Sequence, residues 1–120
     1  MAVLLKPVAT ACIAGLVLLT GCATKTPSLY QWGSYQEQIY AQYGDAGKTS
    51  PEAQISALEA DYQQIAAKDR KPPPGYFAHL GYLYFQTGKS GQAVQSFEAE
   101  KASFPESATY MDLLIKNAQK

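Results

Sequence analysis

Residues 74–107 read PGYFAHLGYLYFQTGKSGQAVQSFEAEKASFPES, and their spacing decides the fold. With Pro74 counted as the first position, an aromatic falls fourth (Phe77), Leu80 seventh, Gly81 eighth and Tyr84 eleventh. Ala93 is twentieth, Phe97 twenty-fourth and Pro105 thirty-second. Apolar residues recur at three- and four-residue steps on both sides of Gly88-Lys89, which predicts helices over Tyr76–Thr87 and Ser90–Ser103 joined by a tight turn. Gly81 and Ala93 sit where two antiparallel helices approach most closely, so only small side chains fit there. Phe77, Leu80, Tyr84 and Phe97 fill the space around that contact, and Pro105 ends the pair.

The 34-residue spacing resembles the tetratricopeptide motif. Glu100, at the twenty-seventh position where that motif usually carries Ala, is the one departure, and it predicts looser cover of the second helix at that point. A single repeat cannot bury its own faces and gains stability from stacked neighbours. The flanking sequence supplies them. A helix is expected from about Leu29 to Tyr43, with Trp32, Tyr35, Ile39 and Tyr43 on one stripe beside Tyr40 and with Trp32 in the core. A second is expected over Pro51–Lys68. Ser50 is its N-cap, Pro51 suits its first position, Glu52 favours its positive end, and Ile55, Leu58, Tyr62 and Ile65 form its apolar face. Pro72-Pro73-Pro74-Gly75 stops it. A last helix runs from Pro105-Glu106 to about Ala118 with Tyr110, Met111, Leu113 and Leu114 as apolar residues. After residue 21 the chain holds one Val and four Ile, few β-branched residues for a strand protein. The fold class expected for residues 29–120 is therefore all-α, a short tetratricopeptide-like array of antiparallel helical hairpins with a C-terminal capping helix.

The first 21 residues are a different polymer. Met1–Lys6 carries one positive charge, and Val8–Leu19 is an apolar run too short to span a bilayer, which takes roughly 20 residues. This pattern reads as a secretory signal peptide, residues 1–21. Its end, Leu19-Thr20-Gly21-Cys22, resembles the lipobox of bacterial lipoproteins. The resemblance implies a diacylglycerol thioether on Cys22, cleavage before it and acylation of the new amino terminus. The expected cofactor content is none beyond this covalent lipid. Each buried acyl CH₂ contributes about 0.8 kcal/mol, so three chains hold a protein firmly on a membrane. Ala23, rather than Asp, implies outer-membrane sorting by the rule of enteric lipoproteins, with the domain most readily facing the periplasm. Residues 22–28 are the lipidated Cys and a short polar tether broken by Pro27.

Composition narrows the function. Ten basic residues balance ten acidic ones, which argues against a nucleic-acid partner. The chain has one His and two Cys; Cys12 lies in the signal segment and Cys22 is expected to be lipidated. No thiol nucleophile or zinc ligand set then remains, so no metal site is expected. No nucleophile elbow, P-loop or dinucleotide fingerprint is present, and Glu98 and Glu100 fall on different helix faces, so neither an enzyme nor a small-molecule substrate is expected. The groove-facing positions of a tetratricopeptide first helix fall here on Gly75, Ala78, Tyr82, Phe85 and Gln86. Tyr82 and Phe85 are interface-favoured rings, Gln86 can bond a peptide backbone, and Ala78 lies beside them; equally, neighbouring helices can cover these rings.

The whole set of residues Leu29-Tyr30-Gln31-Trp32-Gly33-Ser34-Tyr35, Ile39-Tyr40, Tyr43, Pro72-Pro73-Pro74-Gly75, His79-Leu80-Gly81, Glu100-Lys101 and Phe104-Pro105-Glu106-Ser107 resembles a family of small proteobacterial lipoproteins that bears only a domain-of-unknown-function name. The resemblance spans nearly all of residues 22–115. Members tend to be encoded beside a CsgG-like lipoprotein and another small lipoprotein, and CsgG itself forms an outer-membrane secretion pore for curli fibres. The resemblance implies a non-enzymatic accessory or scaffold of a CsgG-like envelope assembly, and it implies no catalytic residue. The alternative expectation is a peptidoglycan-associated protein, with Tyr82 and Phe85 stacking on sugars, or a modulator of a cell-wall enzyme.

Overall fold

A computed structural model describes residues 26–44 and 47–120; the signal segment, Cys22 and the start of the tether lie outside the described residues. The described residues are helical and contain no strand. Five α-helices run in order: α1 (Tyr35–Tyr43), α2 (Pro51–Ala67), α3 (Tyr76–Gln86), α4 (Ser90–Ser103) and, after a 3-10 turn at Pro105–Ser107, α5 (Ala108–Ala118). None of them is long and apolar enough to cross a membrane. The principal contacts join helices that are adjacent in sequence, most extensively α3 with α4 and α4 with α5.

Local chemistry sets the ends. Ser50 accepts the Ala53 N–H at 3.2 Å and Pro51 opens α2, so the chain meets two N-terminal preferences at once. Thr87 closes α3 with its hydroxyl on the Leu83 and Tyr84 carbonyls, and Gly88 turns into α4 with φ 75°.

The expected hairpin contact is present at atomic distance. A Cβ built on Gly81 would lie 2.6 Å from Cε1 of the buried Phe97 ring and 2.7 Å from its Cδ1. Gly81→Ala therefore gains up to about 1 kcal/mol of helix propensity but forces the ring aside, an overpacking cost of about 1–3 kcal/mol. A net fall in melting temperature is expected by circular dichroism, and Phe97→Leu in the same chain should recover part of it.

Glu100 corrects the sequence expectation. It is only 3% exposed, and α4 is tightly covered there. The backbone N–H of Gly75, the residue before α3, donates to Glu100 Oε1 at 2.6 Å. This bond ties the start of α3 to the end of α4 and fixes the pair as antiparallel. Gly75 holds φ 90°, and a Cβ there would meet the Tyr35 hydroxyl at 2.6 Å. The carboxylate thus caps a helix start that has no side chain of its own to do so. Glu100→Ala strands the Gly75 N–H and should cost about 1–3 kcal/mol in urea denaturation. Glu100→Gln keeps an acceptor for that N–H, so it should cost less than Glu100→Ala.

The core joins Ile55, Leu58 and Ile65 of α2, Tyr76, Leu80, Leu83 and Tyr84 of α3, Ala93 and Phe97 of α4, and Met111, Ile115 and Ala118 of α5. The tyrosines of α3 are bolts as well as fillers: the Tyr76 hydroxyl donates to the Leu58 carbonyl and the Tyr84 hydroxyl to Glu59 Oε1.

The amino-terminal helix is shorter than its pattern predicts. Residues 26–34 are a non-helical strap, held where the Gln31 N–H meets the Lys71 carbonyl at 2.9 Å and the Arg70 guanidinium meets the Ser28 carbonyl. Asp61 of α2 accepts both the backbone N–H and the hydroxyl of Ser34, at 2.6 and 2.5 Å, and so sets where α1 can begin. Trp32 is 41% exposed rather than in the core. α1 has no fully buried residue; it contacts α2 only lightly, and Tyr40 and Tyr43 point outward.

Candidate docking surface

α3 carries two faces. Tyr76, His79, Leu80, Leu83 and Tyr84 are buried, which consumes the side that meets α2 and α4. At 100° per residue the remaining side presents Ala78, Tyr82, Phe85 and Gln86. Tyr82 is 37% and Phe85 46% exposed, so the neighbouring helices leave both rings open to solvent. Ala78 is half-buried against the edge of the core. Gln86 is exposed, and its amide donates to the Tyr82 hydroxyl at 3.0 Å, which fixes the phenol and leaves the Gln86 carbonyl oxygen as a free acceptor for a backbone N–H.

Tyr82 and Phe85 do not stand alone. With Leu114 and Asn117 of α5 and the Phe97 ring beneath, they enclose an apolar cleft of about 130 Å³. Leu113 and Tyr110 of α5 are exposed, so apolar surface continues along that helix. Leu114 and Asn117 were not among the expected surface residues. Their periodicity marks only that α5 has an apolar side; their place opposite Tyr82 follows from how α5 docks on α4, where Lys101 meets Asp112 at 2.6 Å.

The titrating groups near α3 are structural. His79 is buried, its Nε2 has no partner, and burial lowers its pKa to about 4, so the ring is neutral at ordinary pH. Burial also raises the Tyr35 phenol, with the Glu100 and Tyr43 charges adding to it. Burial raises the Tyr76 and Tyr84 phenols strongly, and for Tyr84 the Glu59 carboxylate adds to the effect. Among the described residues no three His, Cys, Asp or Glu side chains cluster as a metal site. Glu98 turns outward toward Lys101 at 3.8 Å while Glu100 turns inward.

Residues 29–114 match the family described as a domain of unknown function (DUF4810). The chain belongs to that family. The match runs from the strap into α5, so Tyr82, Phe85 and Leu114 lie within the family's own domain and Asn117 lies just beyond its matched end. Comparison with curated proteins and with solved structures found no match.

Proposed function

We propose that this member of the DUF4810 family is a lipid-anchored, non-enzymatic protein-interaction module. In this reading Cys22 carries the lipid, and the protein sits on the outer membrane with its domain in the periplasm. The helices form a short tetratricopeptide-like array capped by α5, and the array serves as accessory or scaffold to a CsgG-like envelope assembly. The observation that carries the reading is the Tyr82–Phe85 face, two aromatic rings left exposed beside a cleft shared with α5. Exposed aromatics bordering a pocket are the usual anchors of protein recognition. The array reading draws its support from the Gly81–Phe97 approach and from contacts that run chiefly between successive helices. The anchor reading draws on the lipobox-like Leu19-Thr20-Gly21-Cys22.

Affinity isolation of the full chain from envelope extracts tests it. Recovery of one or more envelope proteins, lost when Cys22→Ala removes the anchor and reduced by Phe85→Ala, is the expected result. Recovery of the same proteins by both variants, or of none by the parent, contradicts it.

A further inference from the structure

The strap leaves the domain beside a concavity at one end of the helices. This hollow, of about 520 Å³, is lined by the last turn of α2 at Ala66, the first turn of α3 at Phe77, the last turn of α4 at Ala102 and Ser103, and Leu29 and Tyr30 of the strap. Arg70 and Lys71 also line it, and no carboxylate does. Asp69, the neighbouring carboxylate, is exposed and stands outside the lining. Neither Arg70 nor Lys71 forms an ion pair among the described residues. Helix C-termini attract cations, but the Ile65, Ala66 and Glu100 carbonyls of these ends are already bonded to backbone N–H groups. Arg70 gives one guanidinium nitrogen to the Ser28 carbonyl. The bond that Lys71 contributes to the fold is made by its backbone carbonyl, which accepts the Gln31 N–H, and Lys71 is exposed. A wider concavity of about 590 Å³ between α2 and α4 shares Tyr62 and Phe77 with this one but holds Glu59 and no cation, so the positive charge belongs to the strap end alone.

The other half of the strap end is apolar. Leu29 is 78% exposed, and Tyr30 is half-buried with its ring edge to face on Phe104 at 5.9 Å. A free small anion would use the two cations and none of this surface; a purely apolar ligand would leave the cations without a partner. A membrane surface meets both, since binding there grows with buried apolar area and with attraction to anionic headgroups, and tyrosine is at home at that boundary. Chain length then decides the occupant. Leu29 follows Cys22 by seven residues, so the connecting chain spans at most about 25 Å even when fully extended. In the reading in which Cys22 carries the lipid, on which this step rests, the strap end stays within that distance of the bilayer.

We propose that the strap end docks on the anionic phospholipid surface of the membrane that holds the anchor, with headgroup phosphates at Arg70 and Lys71 and with Leu29 and Tyr30 at headgroup level. Docking also orients the domain. Phe85 lies eight residues beyond Phe77 on α3, about 12 Å along the helix, so the Tyr82–Phe85 face is carried away from the lipid.

Tryptophan quenching by brominated lipid, with the protein isolated from cells expressing the full chain, tests it. Leu29→Trp places a probe on the exposed strap, and Gly91→Trp places one at the start of α4, where a Cβ meets nothing within 4 Å. Trp32 is common to both and cancels in their difference. On vesicles of phosphatidylcholine with phosphatidylglycerol, position 29 should be quenched and position 91 not; on phosphatidylcholine alone, or in high salt, the difference should shrink. Lys71→Glu changes the surface charge by two without touching the backbone bond to Gln31, and should weaken docking about thirtyfold at unchanged circular dichroism. Quenching at position 29 no greater than at position 91 on the anionic vesicles, or quenching unaltered by Lys71→Glu, overturns the proposal. Flotation with the same vesicles separates it from the anchor reading. Flotation with both kinds but no quenching at position 29 contradicts docking alone. Flotation with anionic vesicles only, with that quenching, contradicts the anchor and supports docking. Flotation with neither contradicts both.

Discussion

Tyr76→Ala should remove about 3–5 kcal/mol of folding stability, the cost typical of deleting a fully buried aromatic ring. The side chain is wholly buried. It stacks edge to face on Phe77 at 5.7 Å and lies against Tyr35 at the same distance. Its hydroxyl reaches the Leu58 carbonyl on α2. One side chain therefore connects the strap end of α1, the middle of α2 and the first turn of α3. Small domains have only about 5–15 kcal/mol in total, so this substitution should leave a large unfolded fraction at room temperature. Tyr76→Phe keeps the ring and loses only the hydroxyl bond, and should cost about 1 kcal/mol. Urea denaturation of both variants, read by far-ultraviolet circular dichroism, checks the ratio. Equal losses in the two would mean that the hydrogen bond, not the packing, holds α2 to α3.

Acidification should destabilise the fold between pH 6.5 and 4 through His79. Its pKa falls from 6.5 in the unfolded chain to about 4 in the folded one, because burial disfavours the charged ring. Over that window the unfolded chain binds the proton and the folded chain does not, so stability rises with pH and falls as pH is lowered. Each pH unit is worth about 1.4 kcal/mol when one group is fully differential, so the whole window corresponds to a loss on the order of 3 kcal/mol. Above pH 6.5 the contribution is complete and flat. His79→Leu should abolish most of this slope while leaving the helices intact. A wild-type stability that does not change between pH 7 and 4.5 would contradict the burial of a neutral imidazole beneath Tyr35, whose ring centre is 6.3 Å away.

The helices were legible because their signals are local. Ser50 and Pro51 mark the start of α2 within one turn, and the three- and four-residue recurrence from Ile55 to Ile65 states its buried side. The α3–α4 pairing was legible from one spacing, which set the small Gly81 and Ala93 at the closest approach with Phe97 among the rings around it; that Phe97 itself is what meets Gly81 came only from the structure. What was hidden depended on residues distant in sequence. Residues 29–34 carry a helical pattern but form a strap, because Asp61, 27 residues later, fixes Ser34 as the entry to α1. Glu100 reads as an exposed polar residue until Gly75, 25 residues earlier, is placed over it. Trp32 and Tyr43 fit the core stripe by spacing, yet Trp32 stands on the strap rather than on a helix and α1 has too little covering it to bury Tyr43. The exposed aromatic face was legible in part: spacing separated Tyr82 and Phe85 from the hairpin contact positions, but not the Leu114 and Asn117 that complete their cleft. The concavity between α2 and α4 had no signal: Gln63, Gln92 and Gln95 read as solvated helix faces and are exposed, and only the placement of α2 and α4 around Phe77 sets them along one concavity.

The central claim is that the Tyr82–Phe85 face meets another protein in the cell envelope. Site-specific photo-cross-linking in cells tests it most directly, with a photoreactive phenylalanine at position 85 in the otherwise native, full-length chain and the same residue at position 52, on the exposed first turn of α2, as the control. The account predicts a discrete adduct with an envelope protein from position 85, absent from position 52 and lost when Cys22→Ala is introduced. A folded, envelope-located protein that gives no adduct from position 85, or the same adducts from both positions, would contradict it.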